Sequence, residues 1–289
     1  MTIRRISVII VLALMVLTSP GCATQSAAPA SGPRFYIVTD LEGAAGVDHW
    51  AQTREAGPAQ DAARQLPTDE VNAAVSGILD AEPHATVDVW DGHGPGGLVK
   101  NKLDPRARYL REERPRKAFV TGAYDAVLFV GQHAMVGTPM ALLAHTYSSR
   151  TIAYYRLNGV FVGEFGALAA LAGSRGIPVV FVSGDDKTVL EAQAWVPGIV
   201  GAAVKQGRGL ESAIHLSHED ACRLLRQRTA EDCRKRASIQ PVCLEPPYYQ
   251  VLFSLSDPGG KMLPSSFLRA ITDSMCPRPW PPPIRFASS

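Results

Sequence analysis

The chain has 289 residues, is 46% hydrophobic and carries a formal charge of +2. That length holds one large α/β domain or two small ones. The near-neutral balance, with no basic patch interleaved with aromatics, argues against nucleic acid as a partner.

Arg4 and Arg5 precede an apolar run from Ile6 to Leu17, followed by Thr18-Ser19-Pro20-Gly21-Cys22. A charged start, a short apolar stretch and a small-residue exit predict a signal peptide over residues 1–23. The run is too short and wrongly flanked for a membrane span. Cys22 after Gly21 resembles a bacterial lipoprotein cleavage site, although Ser19 stands where such sites usually carry Leu. Lipid anchoring at Cys22 and plain secretion are both open, and either makes the protein exported, periplasmic or membrane-anchored. Residues 24–33 are small, polar and Pro-containing, as in a flexible tether.

The first strand is predicted in Phe35-Tyr36-Ile37-Val38, and it runs into Asp40-Leu41-Glu42-Gly43. Carboxylates at i and i+2 leave a strand on the same side. Buried together they need a positive partner, and a divalent metal supplies one. A helix is expected from a Thr68 N-cap to about Ala81, ended by Pro83. The second strand, Ala85 to Trp90, leads into Asp91-Gly92-His93, where Asp91 is expected to support His93 as a ligand. Residues 100–117 mix charges and read as a solvated helix and loop. A third strand, Ala126 to Val130, exits at Gly131-Gln132-His133. Leu142-Leu143-Ala144 is read as a further strand exit, at His145.

Ile152 to Leu157 and Val160 to Val162 form a hairpin through Asn158-Gly159. Glu164 then opens an Ala/Leu-rich helix to about Ser174, with Gly176 at its end. Pro178 to Val182 and Ile199 to Val204 are strands, with an Asp185-capped helix between them. A helix follows from Ser217 to about Arg236, and Tyr248 to Leu255 is the last strand. Near-continuously apolar strands alternating with helices predict an α/β fold, a mostly parallel sheet with helices on both faces. Ligands then bind beyond the carboxyl ends of the strands. Cys222, Cys233, Cys243 and Cys276 fit no zinc-finger spacing; export permits disulfides among them, and small buried hydrophobes are the other reading.

Asp40, Glu42, His93, His133 and Glu164, with His145 nearby, all fall at strand exits or a helix start. Three carboxylates and two imidazoles suit two zinc ions, with one carboxylate bridging. Paired metals generate a hydroxide nucleophile and stabilise the oxyanion of an amide under attack.

The same motifs resemble those of the zinc-dependent D-aminopeptidases encoded in bacterial dipeptide-transport operons. That family carries D-x-E-G, D-S-H, G-x-H-A, S-H-S and G-E-x-G in this order. Here they are matched by Asp40-Leu41-Glu42-Gly43, Asp91-Gly92-His93, Gly131-Gln132-His133-Ala134, Ala144-His145-Thr146 and Gly163-Glu164-Phe165-Gly166. Gly184-Asp185-Asp186 and Ala203-Val204-Lys205-Gln206 look like the family's G-D-D and A-V-K-Q. The likeness covers roughly Arg34 to Gly209. It implies a metallopeptidase that removes N-terminal D-residues from short peptides such as D-Ala-D-Ala. Asp40, Glu42, His93, His133 and Glu164 would hold the zinc pair, with Asp40 bridging and His145 catalytic, and the chains would assemble as a ring-shaped homo-oligomer. Gly92, Ala144 and Thr146 replace the family's serines. The alternatives are another metal-dependent amidase or aminopeptidase on the same scaffold, and an inactive exported peptide-binding protein. The expected division is a metallopeptidase domain over 34–255 and an atypical Pro-rich tail over 256–289, read either as truncated or frame-altered or as a lineage-specific tail.

Overall fold

Strand β1 (Arg34–Thr39) shows how the chain is laid out. Phe35 and Ile37 enter one apolar core and Tyr36 and Val38 another, the alternation of a strand covered on both faces. A computed structural model of the protein describes residues 32–112, 114–121, 123–244 and 250–254. The signal peptide, Cys22, Cys276 and the 256–289 tail lie outside the described residues.

In chain order β1 is followed by a 3-10 turn (Trp50–Gln52), α1 (Pro58–Ala63), α2 (Gln65–Ala81), β2 (Thr86–Asp91), β3 (Ala107–Leu110), α3 (Pro115–Thr121) and β4 (Ala126–Gln132). Next come β5 (Ile152–Leu157), β6 (Val160–Phe161), α4 (Glu164–Gly173), β7 (Val179–Asp185) and α5 (Asp186–Trp195). The described chain ends with β8 (Val200–Gly209), β9 (Ser212–His215), α6 (His218–Lys235) and β10 (Gln250–Ser254). The main sheet runs β3-β2-β1-β4-β7-β8-β9, parallel except for the β8–β9 hairpin. Helices α2 and α6 cover one face, around Val71, Ile78, Phe181 and Leu225. Helices α3, α4 and α5 cover the other, around Phe119, Phe129, Phe165 and Trp195. The α/β class and the mostly parallel sheet are as expected.

Four details differ from the sequence reading. Helix α2 starts at Gln65, and Thr68 lies inside it rather than capping it. The Thr68 hydroxyl donates to Arg64 O at 2.6 Å and accepts the Val99 N–H at 2.9 Å. Within 100–117 the chain forms β3, a sheet-edge strand, before entering α3. An edge strand buries only one side, so its apolar pattern is weak. Residues Leu142 and Leu143 are buried without being a strand, and Leu143 has φ +49°. They form a separate small core with Leu41, Ala44, Val47 and Ala63, beneath the loop that follows β1. Finally, β5, β6 and β10 make their own antiparallel sheet. The Asn158-Gly159 turn there has φ +50° and +81°, as its sequence requires.

Cys222, Cys233 and Cys243 are free thiols, and Cys233 is a buried core residue. Among the described residues no helix is long and apolar enough to cross a membrane.

Candidate metal centre

The chain leaves β1 for β2 and β3 on one side, then returns to β4 on the other. Loops after β1 and β4 therefore diverge at their carboxyl ends, where such sheets bind ligands. Here the two exits are pressed together. Asp40 N–H donates to Val130 O at 2.9 Å, and Gly43 N–H to Gly131 O at 2.7 Å. A Cβ on Gly43 would fall 2.2 Å from Gln132 O, and one on Gly131 2.3 Å from Asp40 O. Both motifs carry glycine at these points because no side chain fits between the strands.

This closeness gathers the six residues singled out in the sequence. Asp40, Glu42 and His93 bring ligand atoms within 4.8 Å of one another, and so do His133, His145 and Glu164. Asp40 joins the groups, since its Oδ2 is 3.3 Å from His133 Nε2. Glu164 Oε1 lies 3.3 Å from the same Nε2 and 4.0 Å from His145 Nε2. Its place in the first turn of α4 is fixed by the Tyr147 N–H, which donates to it at 2.7 Å. His93 Nε2 faces Glu42 Oε1 at 3.4 Å.

The donor set fits metal ions. His133 Nδ1 sits 3.0 Å from Ala134 O, and a carbonyl can only accept, so Nδ1 carries the proton. Its Nε2 then turns a lone pair towards two carboxylates. His133 Nε2, Glu42 Oε2 and His93 Nδ1 are buried and lack hydrogen-bond partners. Converging acceptors without a donor are what a cation satisfies. Without an ion, protons take that role. Burial opposes charge on His93, but the Glu42 carboxylate outweighs it and raises the imidazole to about 9. Burial, reinforced by Glu42, raises Asp40 to about 7 although His133 pulls it down.

His145 differs. Its Nδ1 is 2.9 Å from Leu143 O, so this proton is also fixed and Nε2 is free to act as a base. Burial, with the charge of His133 stacked 3.8 Å away, lowers it to about 4. The residue stands on a loop rather than at a strand exit, as its sequence had suggested. Thr146 helps fix that loop, its buried hydroxyl accepting the Val136 N–H at 3.2 Å.

Asp91 does not support His93 as expected. Its oxygens accept Gly97 N–H at 2.8 Å and Tyr109 O–H at 2.9 Å, so it shapes the 91–97 loop. Gly92 packs closely there, since a Cβ would meet Thr39 O at 2.7 Å, so the family's serine needs the backbone to shift.

Sequence reasoning gave no role to Lys205 and saw Asp185 only as a helix cap, yet both are buried charges behind the centre. Lys205 Nζ donates to Glu42 O, Ala44 O and Val47 O at 2.6, 2.8 and 2.7 Å. Asp185 caps α5 through Thr188 N–H and also accepts Leu142 N–H at 2.8 Å, tying down the loop of His145. A lysine and an aspartate at the ends of apolar strands were the available signals.

Glu191 Oε2 accepts the Met135 N–H at 2.7 Å, while Oε1 has no partner. Burial pushes this carboxyl up to about 7 from its ordinary 4.5, against the pull of that N–H bond. The folded state thus keeps a proton that the unfolded chain releases, so stability falls as pH rises from about 4.5 to about 7. The full effect is at most about 3 kcal/mol. In urea denaturation at pH 5 and pH 8, Glu191→Gln is expected to lose less stability over this interval than the parent; equal losses would contradict the assignment.

A family profile described as D-aminopeptidase, peptidase M55, matches residues 34–258. A D-aminopeptidase from Bacillus subtilis (strain 168) is 31% identical over 229 residues, covering 76% of this chain and 80% of that protein. The solved structure of the Zn-dependent D-aminopeptidase DppA from Bacillus subtilis, a self-compartmentalizing protease, superposes with a TM-score of 0.71. It is 26% identical, over 76% of this chain and 81% of that one. Fold, motif order and these likenesses agree, and the chain belongs to the peptidase M55 family of D-aminopeptidases.

Proposed function

We propose that the protein is a dinuclear zinc aminopeptidase that removes N-terminal D-residues from short peptides, D-Ala-D-Ala among them. The observation that carries this is the meeting of His133 Nε2 with Asp40 and Glu164, each at 3.3 Å, with no proton donor between them. Asp40, Glu42 and His93 would hold one ion; Asp40, His133 and Glu164 would hold the other. The zinc ions these residues would hold would supply Lewis acidity to a scissile carbonyl and lower the pKa of water towards neutrality. His145 takes a proton on Nε2 and passes it to the leaving amine, while Leu143 O keeps the ring oriented through Nδ1. The cavity above these residues has a volume of about 370 Å³, small enough to favour short peptides.

Zinc-loaded protein is expected to hydrolyse D-Ala-D-Ala and to leave L-Ala-L-Ala intact. Turnover of the L-peptide alone would assign an L-aminopeptidase instead, and inertness towards both would favour a peptide-binding protein.

A homo-oligomer is part of the proposal, supported by the self-compartmentalizing relative; light scattering that reads a monomer would exclude it. Export, with a lipid on Cys22, is supported by the charged and apolar start of the chain. Fatty-acid labelling that persists in Cys22→Ser would exclude the anchor.

A further inference from the structure

The cavity has a cation that the proposed chemistry does not use. Asp40, Glu42 and Glu164 contribute carboxylates to its lining, and Arg54 and Arg150 contribute guanidinium groups. Arg150 is already paired, its Nη2 lying 2.6 Å from Glu55 Oε1. Arg54 forms no ion pair among the described residues. The one hydrogen bond of its guanidinium among the described residues is from Nε to Ser149 Oγ at 3.1 Å, which leaves the outer edge free.

Arg54 is also held in place. Its guanidinium carbon lies 3.6 Å from the centre of the Trp50 ring. Trp50 sits in the 3-10 turn and is fixed by its N–H, which donates to Glu211 Oε1 at 2.9 Å. The Arg54 N–H returns to Trp50 O at 2.9 Å. Trp50 also meets His145, ring centre to ring centre 5.6 Å, edge to face. The guanidinium carbon is therefore no further from the His145 ring centre than these two ring distances, 3.6 and 5.6 Å, end to end. An extended residue beyond the scissile bond advances the chain by about 3.3–3.6 Å. A charge-assisted N–H···O contact adds about 2.7–2.9 Å. The span therefore has room for at most about two residues beyond the scissile bond.

We infer that Arg54 recognises the C-terminal carboxylate of the peptide, so that the site selects di- and tripeptides with a free carboxyl end. This rests on reading the cavity as a peptide site. A rigid, unpaired, planar guanidinium is the side chain suited to a carboxylate, which it grips with two parallel N–H donors. Stacking on Trp50 reduces the entropy lost when it does so.

The test compares D-Ala-D-Ala with its C-terminal amide in two ways. Isothermal titration into zinc-loaded His145→Ala protein is expected to show the free acid binding about 10- to 100-fold more tightly, the range for a charge-assisted pair. Arg54→Met is expected to remove this preference by weakening the acid and sparing the amide, whereas Arg54→Lys keeps part of it. In the active protein the same change is expected to raise KM for the acid far more than it lowers kcat. Equal binding of acid and amide by protein with Arg54 intact would overturn the inference, as would an Arg54→Met variant that weakens both alike. Acid preference in binding without any turnover would sustain the role of Arg54 while removing the aminopeptidase reading.

Discussion

Lys205→Met is expected to be the most damaging single change outside the ligand set. The ammonium is buried at 3% exposure and satisfies three carbonyls of the loop that presents Asp40 and Glu42. Nearby, Glu70 is fully buried and accepts the Ala45 N–H at 2.7 Å. Burial pushes Glu70 up to about 7 while Lys205 holds it down; Lys205 itself is lowered to about 8 by burial, with Glu70 opposing. Removing the cation strands three acceptors and a buried carboxyl at once, which costs about 3–5 kcal/mol. For a domain of this size that is a fall in Tm of about 10 °C. Zinc content is expected to fall with it, since the loop no longer has a fixed shape. Adding Glu70→Gln is expected to restore part of the Tm and none of the metal. A Lys205→Met protein with unchanged Tm and full zinc would show that the loop holds itself.

The second large effect is expected at His145. Its Nε2 is 4.0 Å from Glu164 Oε1, against 3.3 Å for His133, and its ring is stacked on His133 and meets Trp50 edge to face. The proposed role for it is to move protons rather than to bind metal. His145→Ala is expected to lower kcat by about 100- to 10,000-fold, the usual loss for a positioned acid–base group, with zinc content unchanged. His133→Ala is expected to lose both. Metal analysis beside single-turnover kinetics separates the two histidines, and loss of zinc from His145→Ala would make it a ligand instead.

The proposed ligand residues are legible in the sequence because each follows a strong local signal. Asp40, Glu42, His93 and His133 stand where apolar strands stop, and parallel strands stop on one side of a sheet. Glu164 opens a helix after glycine. The Asp185 and Ser217 caps are legible for the same reason, since each side chain bonds an N–H within its own helix.

The misses have physical causes too. Leu142 and Leu143 look like a strand because they are apolar, but they serve a small core under a loop, which has no periodicity to read. Strand β3 is an edge and half polar. Trp50 and Arg54 are four residues apart in one turn, but the 3-10 turn that stacks them carries no apolar periodicity, and Ser149 reaches Arg54 only through the fold. Asp91 carries the right chemistry for a support to His93, and only the path of the loop shows that it bonds Gly97 and Tyr109 instead.

The measurement closest to the central claim is the zinc content of the purified, dialysed protein, taken beside Asp40→Ala. The two ligand groups joined through Asp40 lead us to expect about two zinc ions per chain. Asp40→Ala is expected to lose most of both, because in the proposed centre one carboxylate would serve the two ions. A parent protein that retains one zinc or none would contradict the dinuclear centre, and an Asp40→Ala protein with full zinc would contradict the bridge.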